Sequence, residues 1–221
     1  MKLLPITLSV KRKAFRTDTP HASASDRVYI EARKKVLSRD RHTCRFCGFR
    51  SAKNEVHHMN DDHGDHSNSN LVTACVLCHM SFHIAFAGIK GRGTIIALPS
   101  SSITQGGLNQ LVRHLWIAEE LGDGDLKNTA SQLLSRLEKS EIQATALVGT
   151  SNASILGDYM TSLSDEDYLK RADALEGIFL MPSKTAYKSY IKTWSEEAKN
   201  FNPKQWVESA RASFSEWGGN D

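Results

Sequence analysis

Along the first half of the chain the apolar positions change period twice. Ile6, Leu8 and Val10 alternate with Thr7, Ser9 and Lys11, which predicts a half-buried strand. Thr17 to Ser25, with Pro20 and several hydroxyl side chains, reads as a loop. From Asp26 the spacing turns helical: Val28, Ala32, Val36 and Leu37 share one face, Arg27, Glu31, Lys34 and Lys35 the other, and Ser25 is the expected N-cap. Met80 to Ala87 predicts a further helix, stopped by Gly88, Gly91 and Gly93, and Thr94 to Leu98 a strand before Pro99. The domain boundary is placed there, giving 1–99 and 100–221, with Ser100 to Gly107 as a Ser- and Gly-rich linker.

The second half reads as helical. Leu108, Leu111, Val112, Leu115 and Trp116 form one stripe, ended by Gly122-Asp123-Gly124, and Leu126, Ala130, Leu133, Leu134 and Leu137 form the next. Gly149 to Leu156 breaks the pattern. Ser164 followed by Asp165, Glu166 and Asp167 is a capped helix start, since the hydroxyl accepts a backbone N–H and the acids favour the positive helix end; that helix is expected to reach Glu176. Tyr187, Tyr190, Ile191 and Trp194 follow, and Asn202-Pro203 opens a last helix with Trp206, Ala210, Phe214 and Trp217. These aromatics serve either as core or as anchors for a partner. The fold class expected is α+β, a small front module with short strands followed by a mainly α-helical region.

Charge changes the picture of partners more than of fold. Residues 1–50 carry 13 Lys and Arg against 4 Asp and Glu, and residues 51–221 carry 15 against 21, so a net +3 conceals a front of +9 and a remainder of −6. A basic front suits nucleic acid, an acidic protein tail or anionic lipid. No apolar run approaches the roughly 20 residues of a membrane span, no glycine loop has nucleotide-binding spacing, and Met1 to Pro5 leads into polar residues instead of a secretory apolar run.

The chemistry is concentrated between Cys44 and His83, which hold all 4 cysteines and six of the 9 histidines. Cys44-x-x-Cys47 and Cys75-x-x-Cys78 suit a structural Zn²⁺, because each turn aims two thiolates at one point. His79 and His83, four apart on the expected helix, project from one face and can share a second divalent cation with His57. On a short strand His57 and His58 would point to opposite faces, leaving His58 as a candidate base.

The order His57-His58, Asn70, Cys75-x-x-Cys78-His79, His83 resembles the HNH (ββα-metal) nuclease fold. That resemblance implies His58 as general base, Asn70 as the residue that braces the loop and orients it, and His57, His79 and His83 holding a metal against the scissile phosphate. The same module also occurs without catalysis, where such histidines cap a helix or bond a thiolate.

Over most of its length, with Leu4 to Arg16 (LPITLSVKRKAFR) and Leu37-Ser38-Arg39-Asp40-Arg41 leading into the knot, the chain is similar to the IcmJ (DotN) family of the Dot/Icm type IVB secretion system of intracellular bacterial pathogens. The resemblance implies a cytoplasmic subunit of the coupling protein complex, peripheral at the inner membrane. It would bind the C-terminal extension of the coupling ATPase beside the adaptors that deliver effectors, with the zinc module as scaffold. A structural adaptor and a metal-dependent endonuclease acting on nucleic acid through His58 are thus the two readings, and the adaptor is preferred.

Overall fold

The computed structural model describes residues 2–12, 22–99 and 103–199. In chain order its elements are α1 (Ala22–Arg39), β1 (Glu55–His58), β2 (Leu71–Ala74), α2 (Val76–Met80), α3 (Ile84–Ile89), β3 (Gly93–Ala97), α4 (Gln105–Leu121), α5 (Gly124–Lys139), α6 (Glu141–Val148), α7 (Ala153–Ser162), α8 (Asp165–Leu169), α9 (Arg171–Ala174), β4 (Ile178–Pro182), a 3₁₀ turn (Lys184–Tyr187) and α10 (Lys188–Ala198). The architecture is α+β, with helices in the majority and two antiparallel two-stranded ribbons, β1 with β2 and β3 with β4.

The β3–β4 ribbon pairs Gly93 with Pro182 and Ala97 with Ile178, so chain from both sides of residue 99 meets in one sheet. Both of its faces are covered. Ile96, Phe179 and Met181 join a cluster containing the cysteines, Trp116, Tyr187 and Trp194. Ile95, Ala97, Ile178 and Leu180 point the other way, into a cluster with Leu8, Val10, Ile84, Leu156 and Met160. Alternation of side chains across the strand thus divides the core into two layers. On the second layer α3 and α7 touch closely: a Cβ on Gly157 would lie 2.5 Å from the Cβ of Ala85.

Several expectations are corrected. Residues 6–10 bury Leu8 and Val10, but they form no strand among the described residues; the Ser9 N–H donates to Ser81 O and Ser9 O accepts from Ile84 N–H, so the segment is tied to a turn. Helix α1 starts before Asp26, which puts Ser25 inside it, and Val28 is 60% exposed, so the inward face is carried by Val36 and Leu37. The expected Met80–Ala87 helix is interrupted at Ser81 to His83. The last residues of the expected linker, Gln105 to Gly107, begin α4, where Thr104 accepts the Gly107 N–H. Leu126 and Leu133 face solvent; Ala130 and Leu134 carry the burial of α5. Asn152 caps α7 at Ala153, within the stretch expected to be irregular.

Ser164 caps its helix as expected, accepting from Asp167 N–H at 3.1 Å, but the helix breaks at Lys170 into α8 and α9. The strand β4 was not anticipated. Tyr187, Ile191 and Trp194 are core residues. The last expected helix, with Trp206, Ala210, Phe214 and Trp217, lies outside the described residues.

Candidate metal centre

The first cysteine pair sits in a tight knuckle. Thr43 bridges Arg50, Cys44 N–H donates to Phe49 O, and Gly48 N–H donates to Cys44 O. Gly48 adopts φ +76°, a conformation glycine adopts without the Cβ penalty. The second pair starts α2: Cys75 is its N-cap and Cys78 lies one turn on, with the His79 N–H closing back on Cys75 O. All four cysteines are buried and free of disulfides.

Their Sγ atoms lie within 4.8 Å of one another, and Cys47 Sγ is 3.6 Å from Cys75 Sγ. That separation is far beyond the roughly 2.05 Å of a disulfide. It matches the ~3.8 Å expected between sulfurs that each lie about 2.3 Å from one tetrahedral zinc. Burial pushes the Cys44 and Cys78 thiols upward, whereas hydrogen bonds within the quartet draw Cys47 down. A central dication would let all four ionise together. The donor set, its spacing and its burial therefore fit a metal such as zinc.

Helix α4 supplies the surroundings. A Cβ on Gly106 would lie 2.4 Å from Phe46 O, so only glycine lets the helix backbone rest on the knuckle. From that contact Gln105, Asn109 and Arg113, four apart, run along one buried face. Gln105 donates to Asn109 Oδ1 at 3.0 Å and to Leu180 O at 2.9 Å, and it accepts Leu180 N–H at 2.9 Å. Asn109 Nδ2 donates to Cys78 Sγ at 3.4 Å, and Arg113 Nη2 to Cys75 Sγ at 3.1 Å. Burial opposes the guanidinium charge, but the thiolates of Cys75 and Cys47 outweigh it and hold Arg113 protonated. Phe49 and Trp194 enclose the guanidinium, 3.8 Å and 5.2 Å from their ring centroids.

Beside the sulfurs, His57, His79 and His83 bring ligand atoms within 4.8 Å of one another, as can hold a metal ion. The helix break does not separate them: His79 ends in α2, His83 caps α3, and their Nε2 atoms are 3.3 Å apart. Glu55 fixes His79 through a 2.6 Å contact to Nδ1, the carboxylate–histidine arrangement common behind metal ligands. Phe82 stacks on His57 at 4.0 Å. Burial, then neighbouring imidazoles, holds His57 down at about 2 and His83 at about 3, so both are neutral, lone-pair donors near pH 7.

His58 lines a cleft of about 250 Å³ with Tyr29, Glu55, His63, His79 and His83, and burial followed by His63 and His66 lowers it to about 4. Asn70 does not touch the His58 ring among the contacts observed. Its Oδ1 accepts Asn60 N–H at 2.9 Å and its Nδ2 donates to Asp65 O at 2.8 Å, bracing the loop between β1 and β2. Sequence reasoning missed Gln105, Asn109 and Arg113; polar residues at i, i+4 and i+8 within an apolar helical stripe were the available signal.

The fold and its site define a small α+β protein built around a buried four-cysteine centre with an imidazole cluster against it. No family model matches the chain. It is 30% identical over 178 residues to the type 4 apparatus protein DotN of Legionella pneumophila, an alignment covering 78% of this chain and 82% of that protein. The chain belongs to the DotN family.

Proposed function

We propose that this protein is a structural component of a Dot/Icm type IV secretion apparatus, acting as an adaptor in its coupling protein complex. It binds the C-terminal extension of the coupling ATPase, alongside adaptor subunits, and supports effector export from the bacterial cytoplasm at the inner membrane. The observation that carries this reading is the match to DotN over most of both chains. The structure is consistent with a scaffold: a zinc held by Cys44, Cys47, Cys75 and Cys78 would fix the knuckle, α2 and α4 at one point, giving partner surfaces a rigid base. No helix of the described residues is long and apolar enough to cross a membrane.

Pull-down with the ATPase tail tests it. Binding is expected to survive His58→Ala and to fail in Cys44→Ser or Cys75→Ser. Binding that is absent in the native protein contradicts the reading.

A second reading is favoured by one observation, the grouping of His57, His79 and His83 beside His58 on a hairpin followed by a helix. In that HNH-type endonuclease His58 is the base, Asn70 steadies the loop behind it, and the three histidines hold a divalent ion at the phosphate. Plasmid nicking with Mg²⁺, Mn²⁺ or Ni²⁺ that disappears in His58→Ala would establish it.

A further inference from the structure

The end of α1 and the knuckle that follows it form an open cleft of about 490 Å³ lined by Arg39, Asp40, Arg41, Thr43 and Arg45. Three guanidinium groups stand there against one carboxylate, a net charge of +2. Asp40 is already spent: its Oδ1 accepts Arg39 Nε at 2.8 Å, and its Oδ2 accepts Arg39 Nη2 at 2.9 Å and the Thr73 N–H at 3.0 Å. Arg39 is spent as well, since its Nη1 donates to Asn68 O at 2.6 Å and Asn68 Oδ1 at 3.2 Å, and its Nη2 to Leu71 O at 2.9 Å. The pair forms a neutral floor.

Arg41 and Arg45 keep charge to place. Arg45 comes no nearer to Asp40 than 3.7 Å, beyond hydrogen-bond reach, and its Nε is buried without a partner. The Arg41 residue is exposed, and its side chain makes no hydrogen bond or ion pair among the contacts observed. Its backbone is left-handed, with φ +52°, and His42 follows at +54°. That conformation suits glycine and is strained for arginine, so the fold alone gives no reason for this side chain at this turn. The turn is nevertheless fixed: His42 N–H donates to Leu37 O at 2.7 Å, Thr43 N–H to Asp40 O at 2.9 Å, and Asn54 Nδ2 to His42 O at 2.8 Å. Two guanidinium forks with unspent donors are thus held at one cleft on a rigid base.

We propose that this cleft docks an acidic segment of a protein partner, whose carboxylates pair with Arg41 and Arg45. The proposal deepens the adaptor reading and takes from it the protein nature of the partner. A guanidinium fork meets a carboxylate through two parallel N–H···O bonds, and the cleft has the volume of a small-ligand site, enough for one or two acidic side chains. Nucleic acid fits less well, because its affinity is built from many phosphate contacts along a stripe. Here two free cations share one cleft, and the β1–β2 loop that Arg39 bonds through Asn68 carries Asp61, Asp62 and Asp65.

Fluorescence anisotropy of a labelled hexaglutamate peptide with the full chain tests this. Native protein is expected to bind the peptide at low salt and to release it as salt rises. Arg41→Gly and Arg45→Gln are each expected to weaken binding about tenfold. Lys192→Ala, which removes one charge from α10 outside the cleft, is expected to leave it unchanged. Because glycine suits the left-handed turn, Arg41→Gly is expected to keep the native melting temperature, so that lost binding is not lost folding. No binding by native protein, equal weakening in Lys192→Ala, a lowered melting temperature in Arg41→Gly, or tighter binding of an oligonucleotide of the same charge or of phosphatidylglycerol vesicles would overturn the proposal. The ATPase-tail pull-down is run beside it. Peptide binding without tail binding contradicts the adaptor reading and keeps the cleft, and a tail that stays bound in Arg41→Gly while the peptide is lost assigns the cleft to another acidic protein.

Discussion

The guanidinium of Arg113, on the third turn of α4, donates to Cys75 Sγ at 3.1 Å across a buried junction between the two halves of the chain. Four thiolates around a dication would carry excess negative charge, part of which the buried guanidinium of Arg113 would offset. The same side chain is gripped by Phe49 from the knuckle and Trp194 from α10, so the cysteine quartet and α10 are linked through one residue.

Removing that cation leaves buried thiolates uncompensated. Arg113→Met is expected to cost about 3–5 kcal/mol of stability, as breaking one side of a buried charge pair does. Arg113→Lys keeps a charge but loses the planar fork and is expected to cost less. Urea unfolding of the three proteins provides the ranking; equal midpoints would show that the contact has no energetic role.

Gly106 is fixed by geometry instead of charge. Since a methyl there meets the Phe46 carbonyl at 2.4 Å, Gly106→Ala must lift α4 off the knuckle. The expected loss is about 1–3 kcal/mol, the usual cost of overpacking. Gly124→Ala, at a position with open space around it, is the control and is expected to be near neutral. Thermal melting distinguishes the two.

Asp40 gives the fold an acid limb. Burial works against its ionisation, but Arg39 pairs with it through bonds of 2.8 and 2.9 Å, Thr73 N–H adds a third at 3.0 Å, and the net effect lowers its pKa. A depressed folded pKa means the stabilisation is complete above the unfolded value of about 3.9 and fades as pH falls through the folded value. Asp40→Asn is therefore expected to be less stable at neutral pH and to show a shallower stability loss on acidification below pH 4. Parallel pH–stability curves for the two proteins would refute this.

The cysteine centre was legible because two C-x-x-C turns state a ligand set directly, and the structure brings those four sulfurs together. The His57, His79 and His83 group was also readable, although for a partly mistaken reason: the expected continuous helix is broken, and it is the turn at Ser81 to His83 that returns His83 to His79. What escaped was anything made by distant pairing. Ile178 to Met181 is a continuous apolar run buried on both faces, so it lacks the alternation that announces a strand, and its partner lies across the whole helical region. Arg113 escaped for a related reason. A guanidinium is ordinarily solvated, and only the tertiary position of the cysteine sulfurs accounts for its burial.

The central claim is that four thiolates enclose one ion and thereby organise the fold, and cobalt substitution tests it most directly. The Co²⁺ protein is expected to develop a thiolate-to-cobalt charge-transfer band that saturates at one equivalent per chain and is lost, with the native dichroism, in Cys44→Ser and Cys75→Ser. Imidazole-bound cobalt contributes nothing to that band. A protein that shows no such band, or that keeps its native dichroism when either cysteine is replaced, would contradict the account.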